Sequence, residues 1–190
     1  MHEQIHINNL IIAVIFTALG VILPVLFHLL GLGPIFMPMF LPLAIGAFLV
    51  TPSNALIMGF FTPLLSAILT GMPPFYPPIA GVMVVELTLF CALISILTHR
   101  TRLPLLIVLV AAIVCDRLVL VILYSFVMPL FDISAGLFSL YDIARGIPGI
   151  ILMLLLVPVM VRRSRQLLAR HSLRLYEHSD HSHGDNNEQQ

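Results

Sequence analysis

The chain has 190 residues, of which 59% are hydrophobic and 9% charged, with a formal net charge of zero and a mean hydropathy of +1.07. That balance lies far outside the range of a water-soluble domain and predicts an integral membrane protein. Apolar runs such as LPLLIVLVAAIV do not alternate with polar residues, which excludes an outer-membrane barrel and predicts an all-α bundle whose helices satisfy their own backbone in hydrocarbon.

In chain order, residues 1–8 predict a short cytoplasmic N-terminus that lacks the basic stretch of a cleaved signal. Six spans follow, at roughly 9–30, 36–51, 54–71, 79–98, 104–129 and 147–162, in one compact domain over 9–162. Span one carries Ala13, Thr17 and Gly20 at helical spacing, a strip of small residues that lets another helix approach closely. Spacing alone allows that helix to belong to a partner protein or to the same bundle. Span two, FMPMFLPLAIGAFLVT, is short and holds Pro38 and Pro42, so irregular backbone sheltered by protein is expected at its start.

Between spans three and four stands GMPPFYPP. Pro73, Pro74, Pro77 and Pro78 restrict φ and predict a stiff extended arch that holds Phe75 and Tyr76 over one mouth of the bundle. The plain alternative is that the prolines stop two helices and turn the chain.

An ionisable residue at the centre of a spanning helix costs about 2.5–3.5 kcal/mol on insertion scales, so the few that occur are informative. Glu86 sits about two turns into span four; Asp116 and Arg117 sit near the middle of span five. Arg117 and Tyr124 share a helix face, with Asp116 rotated from them by roughly 100°. These positions predict a polar pocket for an anionic or amphiphilic ligand. The competing reading is that Arg117 pairs with Glu86 or Asp116 to hold the bundle together. Arg145, beside Asp142 in YDIARG, and His28 at the end of span one rank below them, as pocket residues or interfacial anchors. Cys91 and Cys115 lie in apolar runs without disulfide or zinc spacing and are read as packing residues.

All nine basic residues are arginine, and five of them fall between Arg162 and Arg174. With the N-terminus inside, the connection holding Arg100 and Arg102 and the tail beyond residue 162 are both cytoplasmic, as the positive-inside rule favours. Residues 163–190 begin as a basic stretch suited to anionic lipid headgroups or simply to water. They end in EHSDHSHGDNNEQQ, whose low complexity predicts disorder, although His178, His181 and His183 can bind a transition metal weakly.

Several activities find no support. A Walker A loop requires a lysine and the chain has none; HExxH and Gly-x-Ser-x-Gly are also missing. Transport or binding is therefore favoured over catalysis, with no catalytic residue, cofactor, metal site or nucleic-acid partner expected.

The stretch GLGPIFMPMFLPLAIGAFLVTPSNALIMGFFTPLLSAILTGMPPFYPP, followed by VVELTLFCALIS, resembles the substrate-binding S components of energy-coupling factor (ECF) transporters, and the resemblance extends over about residues 10–162. It implies a six-helix body in the cytoplasmic membrane with both termini inside. Such a body captures a vitamin-like micronutrient from the outer side, then joins a transmembrane coupling subunit and two ATP-binding subunits. The resemblance also implies that GLGPIF and GMPPFYPP act as lid and gate, with Pro73, Pro74, Phe75, Pro77 and Pro78 in the gate. Glu86, Arg117, Tyr124 and Arg145 would surround the substrate, with Tyr76 and His28 as further candidate contacts. Small residues of span one, here Ala13-x-x-x-Thr17 with Gly20, would dock on the coupling subunit. Pantothenate is one expectation for the ligand, because Arg117 and Arg145 suit a carboxylate; riboflavin, folate and precursors of pyridoxine or queuosine stay open. Two other classes compete: a self-sufficient secondary transporter using Glu86 or Asp116 as a proton-coupling carboxylate, and a non-transporting membrane assembly protein.

Overall fold

A computed structural model describes residues 2–31, 37–76, 78–127, 129 and 146–187, with side chains described between residues 7 and 167 of these, Val127 excepted. The described residues form helices and connections, with no strand among them. The helices are α1 (His2–Leu29), α2 (Phe40–Ala47), α3 (Pro52–Thr70), α4 (Ile79–Arg100), α5 (Leu105–Val127) and α6 (Ile147–Asn187). Five of them, all but α2, are long and apolar enough to cross a membrane.

The second expected span is the exception. Only eight of its residues are helical, about 12 Å of rise against the roughly 30 Å of a hydrocarbon core. Seven of the eight are buried, among them Leu43, Ala44 and Ala47 with no exposed surface. The helix is therefore an interior element, and its non-helical flanks are tolerated because protein surrounds them. Met37 before it has φ of 45°. After it, Leu49 and Val50 both donate their amides to the Gly46 carbonyl, closing a tight turn.

Where other helices stop follows from local chemistry. Pro52 opens α3 at a position where its missing N–H is no loss. Gly71 ends it in the left-handed region at φ 72°, its amide reaching the Ala67 carbonyl at 3.0 Å, a conformation that glycine adopts without a Cβ penalty. The last helix differs from expectation: it continues past residue 162 to Asn187. Its first residues beyond the apolar run, RSRQLLAR, hold no proline or glycine, which accounts for the first turns of the continuation.

Packing inside a lipid-solvated bundle depends on close approach rather than on hydrophobic transfer, since lipid tails are as apolar as leucine. The contact of α3 with α4 shows this. A Cβ added at Gly59 would stand 2.5 Å from the Leu87 carbonyl oxygen and 2.8 Å from Thr88 Cα, so the two backbones nearly touch there. At Gly46 of α2 an added Cβ would lie 2.9 Å from both Met58 Sδ and Phe16 Cβ. Around these points Leu43, Met58, Leu87, Phe90, Ile94 and Val157 form the core. Large apolar side chains such as Ile11, Val14, Ile107, Val114 and Leu155 face outward from α1, α5 and α6, as a lipid-facing surface requires.

The two ends of the bundle are chemically unlike. At one end the Ser95 hydroxyl donates to the Val50 carbonyl at 2.7 Å, and Arg165 Nη2 donates to the Phe48 carbonyl at 3.1 Å. His99 and Arg100 close α4 near by. At the other end lie the last turns of α1 and α5, the start of α4 and the proline-rich connection, enclosing a cavity. The chain from Met37 to Val50 leads from that cavity to the arginine end.

Candidate functional site

The cavity has a volume of about 400 Å³, within the range typical of small-molecule sites. Five separate segments build its wall. Pro24 and His28 come from the end of α1, and Met37, Pro38, Met39 and Phe40 from the approach to α2. Met72, Pro73 and Pro74 come from the connection after α3, Ile79, Met83 and Glu86 from the first two turns of α4, and Arg117, Leu120 and Tyr124 from α5. Helical spacing explains the last two sets: 79, 83 and 86 share one face of α4, and 117, 120 and 124 share one face of α5.

A charged cluster forms at the polar side. Arg117 Nη2 donates to Glu86 Oε1 at 3.1 Å, and its Nε donates to Asp116 Oδ2 at 3.1 Å, with Nη2 also donating to that same oxygen. The side chains of Glu86 and Arg117 are 4% and 14% exposed, so the pair is largely withdrawn from solvent. The guanidinium carbon also lies 5.8 Å from the centroid of the Phe40 ring, within cation–π range. Phe40 in turn meets Phe90 edge to face at 5.4 Å, which fixes the ring under Arg117. Asp116 Oδ1 is buried and has no hydrogen-bond partner.

The connection over the cavity is tied down on one side. Ser66 Oγ donates to the Met72 carbonyl at 2.7 Å, and the Met72 amide donates to Thr70 Oγ1 at 3.3 Å. Across the proline-rich turn, the Ala80 amide donates to the Pro74 carbonyl at 3.0 Å. Met72, Pro73 and Pro74 are thus anchored to both α3 and α4 where they line the cavity.

Of the residues singled out in the sequence, Glu86, Arg117, Tyr124 and His28 come together around this cavity, joined by Pro73 and Pro74. Tyr124 is buried, whereas His28 is exposed at the rim. Phe75 and Tyr76 do not line it: they are 59% and 72% exposed and belong to the outer surface of the arch. The reason is geometric, because the turn that seats Pro73 and Pro74 inward carries the next two residues outward. Pro78 caps the start of α4, its carbonyl accepting from the Val82 amide at 3.2 Å, and does not line the cavity either. Pro77 and Arg145 lie outside the described residues.

The small-residue strip of α1 faces inward. Ala13 is buried in the core, and a Cβ at Gly20 would meet Leu43 Cδ1 at 2.5 Å and Thr62 Cγ2 at 2.7 Å; Thr17 between them is half-buried. Ala13 and Gly20 are thus taken up by the contact of α1 with the rest of the bundle, while Thr17 keeps part of its surface. Cys91 is buried as expected, but Cys115 is exposed on α5. No group of three or more potential metal ligands occurs among the described residues, and the side chains of His178, His181 and His183 fall outside them.

Sequence reasoning missed the methionines. Met37, Met39, Met72 and Met83 supply much of the apolar wall, and three of them adjoin prolines in FMPMF and GMPPF. That adjacency was a usable signal, since a flexible thioether beside a rigid turn suits an adaptable cavity wall. Comparisons of the chain with protein-family models, with curated proteins and with solved structures find no match.

Proposed function

We propose that this chain is the substrate-capture component of an ECF-type importer in the cytoplasmic membrane, binding a vitamin-like micronutrient from the outer side. The observation that carries the reading is the cavity of about 400 Å³ with Glu86 and Arg117 at its polar side and the anchored Met72–Pro74 segment over it. Its placement adds support. The cavity lies at the end of the bundle remote from Arg100 and Arg165, which is the outer end under the positive-inside rule. In this reading Met72, Pro73 and Pro74 form the inner surface of the gate. A transmembrane coupling subunit and two ATP-binding subunits supply the energy, in keeping with a chain that has no lysine for a phosphate loop. Docking on the coupling subunit then uses the exposed apolar face of α1, around Val14 and Ala18, in place of the inward strip.

Two measurements test it. Protein purified in detergent and denatured should release a stoichiometric small molecule detectable by mass spectrometry, and uptake in vesicles should require the coupling and ATP-binding subunits. Recovery of empty, folded protein that binds nothing offered opposes capture. The second reading, a self-sufficient proton-coupled carrier, draws on the carboxylates of Glu86 and Asp116 inside the bundle. Solute accumulation driven by a pH gradient, with this chain as the sole protein, would decide for it.

A further inference from the structure

If the cavity is a substrate site, as proposed above, the hydrogen bonding of its wall narrows the substrate class. Among the described residues that line it, the side chains are apolar apart from His28, Glu86, Arg117 and Tyr124. Glu86 receives Arg117 Nη2 at 3.1 Å and is engaged in a further interaction, as Tyr124 is in one of its own. His28 stands at the exposed rim, within reach of water.

Arg117 differs from these three. Its Nε and Nη2 donate to Asp116 Oδ2, and Nη2 donates to Glu86 Oε1 as well, so one edge of the guanidinium is taken up by carboxylates. One face lies over the Phe40 ring. Nη1 makes no hydrogen bond among the described residues, although the side chain as a whole is largely buried. Of the guanidinium, this leaves Nη1 and the second face for a ligand. A buried N–H without an acceptor carries a desolvation cost, which an acceptor on the ligand removes.

The cluster also sets the charge of that acceptor. Arg117 grips the Asp116 carboxylate through two nitrogens and Glu86 through one, so its single positive charge is matched before a ligand arrives. A ligand carboxylate at Nη1 would bring a third carboxyl group to one guanidinium, in surroundings where an uncompensated charge is costly. A protonated amine has no lone pair to accept from Nη1, and it would set a second cation beside the first. A neutral acceptor meets neither penalty. The rest of the wall suits an apolar or flat remainder, because methionine side chains are soft and adapt to irregular shapes.

We infer that the cavity selects an uncharged ligand whose carbonyl oxygen or unprotonated ring nitrogen accepts from Arg117 Nη1, with its apolar part among Met37, Met39, Met72 and Met83. Arg117 then ties α4 to α5 through one edge and holds the ligand through the other. This replaces the carboxylate-bearing ligand that Arg117 suggests when the sequence is read by itself.

The test uses three probes of one shape, 4-phenylbutan-2-one, 3-phenylpropionate and 4-phenylbutan-2-amine, titrated at neutral pH into the purified full chain and followed by calorimetry up to millimolar concentration, with empty micelles as the blank. The ketone should bind at least about tenfold more tightly than the carboxylate or the amine. Infrared difference spectra of the ketone, isotope-labelled at its carbonyl, should show the stretch of the bound molecule below its frequency in empty micelles, and Arg117→Met should abolish that shift. The wild-type order and the wild-type band decide even where the variant does not fold. A carboxylate or amine bound as tightly as the ketone, an unshifted band, or a shift that persists in folded Arg117→Met overturns the inference and leaves capture standing. Folded protein that binds none of the three overturns the substrate-site reading together with it.

Discussion

The α3–α4 contact and the cavity that opens beside it are built from the same two helices in opposite ways. At Gly59 the backbones approach so closely that no Cβ fits, and Thr62 and Ser66 on the same helix are fully buried. Toward the start of α4, Met83 and Glu86 instead border the cavity. Small residues thus close one stretch of the helix pair, while long flexible and charged ones keep the next stretch open.

The largest effect is expected where the closed region is broken. Gly59→Ala forces a Cβ against the α4 backbone and should cost about 1–3 kcal/mol, with Gly59→Val too large to fold. Gly81→Ala, on the partner helix but in open space, should be neutral or gain up to about 1 kcal/mol from helix propensity. Thermal unfolding in one detergent measures both. Equal shifts for the two would mean that the contact at Gly59 does not hold the fold.

Next in size is the cluster at the cavity. Arg117→Ala leaves two carboxyl groups inside the bundle without their cation, and removal of one partner from a buried pair costs about 3–5 kcal/mol in soluble proteins. Polar interactions between membrane helices average nearer 0.6 kcal/mol in double-mutant cycles, because the unfolded state in lipid also finds partners. A loss nearer the lower limit is expected, below that of breaking the Gly59 contact, with Glu86→Gln milder than Arg117→Ala. Unfolding of both variants and of the double variant gives the coupling energy, and a value of zero would reduce the Arg117–Glu86 bond to a bystander.

Much of this architecture was legible beforehand, and the failures have physical causes. Long helices announce themselves because an apolar run of the right length has one stable form in lipid, so five of the spans were placed to within a few residues apart from the extensions of α1 and α6. The short α2 was harder. Pro38 and Pro42 signalled irregularity, but a length of apolar sequence does not say whether lipid or protein surrounds it. Glu86 and Arg117 were recognisable from the cost of charge in a membrane, and their pairing, one of the two readings the sequence offered, is present where α4 and α5 stand side by side. The strip of Ala13 and Gly20 was correctly read as a close-approach surface, yet spacing within one helix carries no information about which helix approaches. Phe75 and Tyr76 misled because aromatic residues in a rigid turn point inward or outward according to the turn's orientation alone.

A smaller effect should follow from freeing the segment over the cavity. Ser66→Ala removes the shorter of the two hydroxyl contacts to the Met72 carbonyl and leaves Thr70 Oγ1 at 3.2 Å, a loss worth about 1 kcal/mol. Opening of residues 72–76 should then become roughly fivefold more frequent, read as faster amide hydrogen exchange there and unchanged exchange near Gly59. Uniform acceleration across α3 would show that Ser66 serves the helix contact instead of the gate.

The smallest effect belongs to Arg165, at the opposite end. Arg165 reaches the Phe48 carbonyl at 3.1 Å, tying α6 to the turn that follows α2, but its side chain is exposed and water competes for both groups. Arg165→Ala should therefore cost less than about 1 kcal/mol, and it should leave exchange over the cavity unaltered because the closed region at Gly59 stands between the two ends. The Ser95 hydroxyl at the same turn is fully buried and donates to Val50 at 2.7 Å. Ser95→Ala leaves that carbonyl without its donor and should cost more than the arginine, about 1–3 kcal/mol. If the two rank the other way, the arginine end is held by its surface charges, and the division into a closed body and an open mouth does not extend to that end.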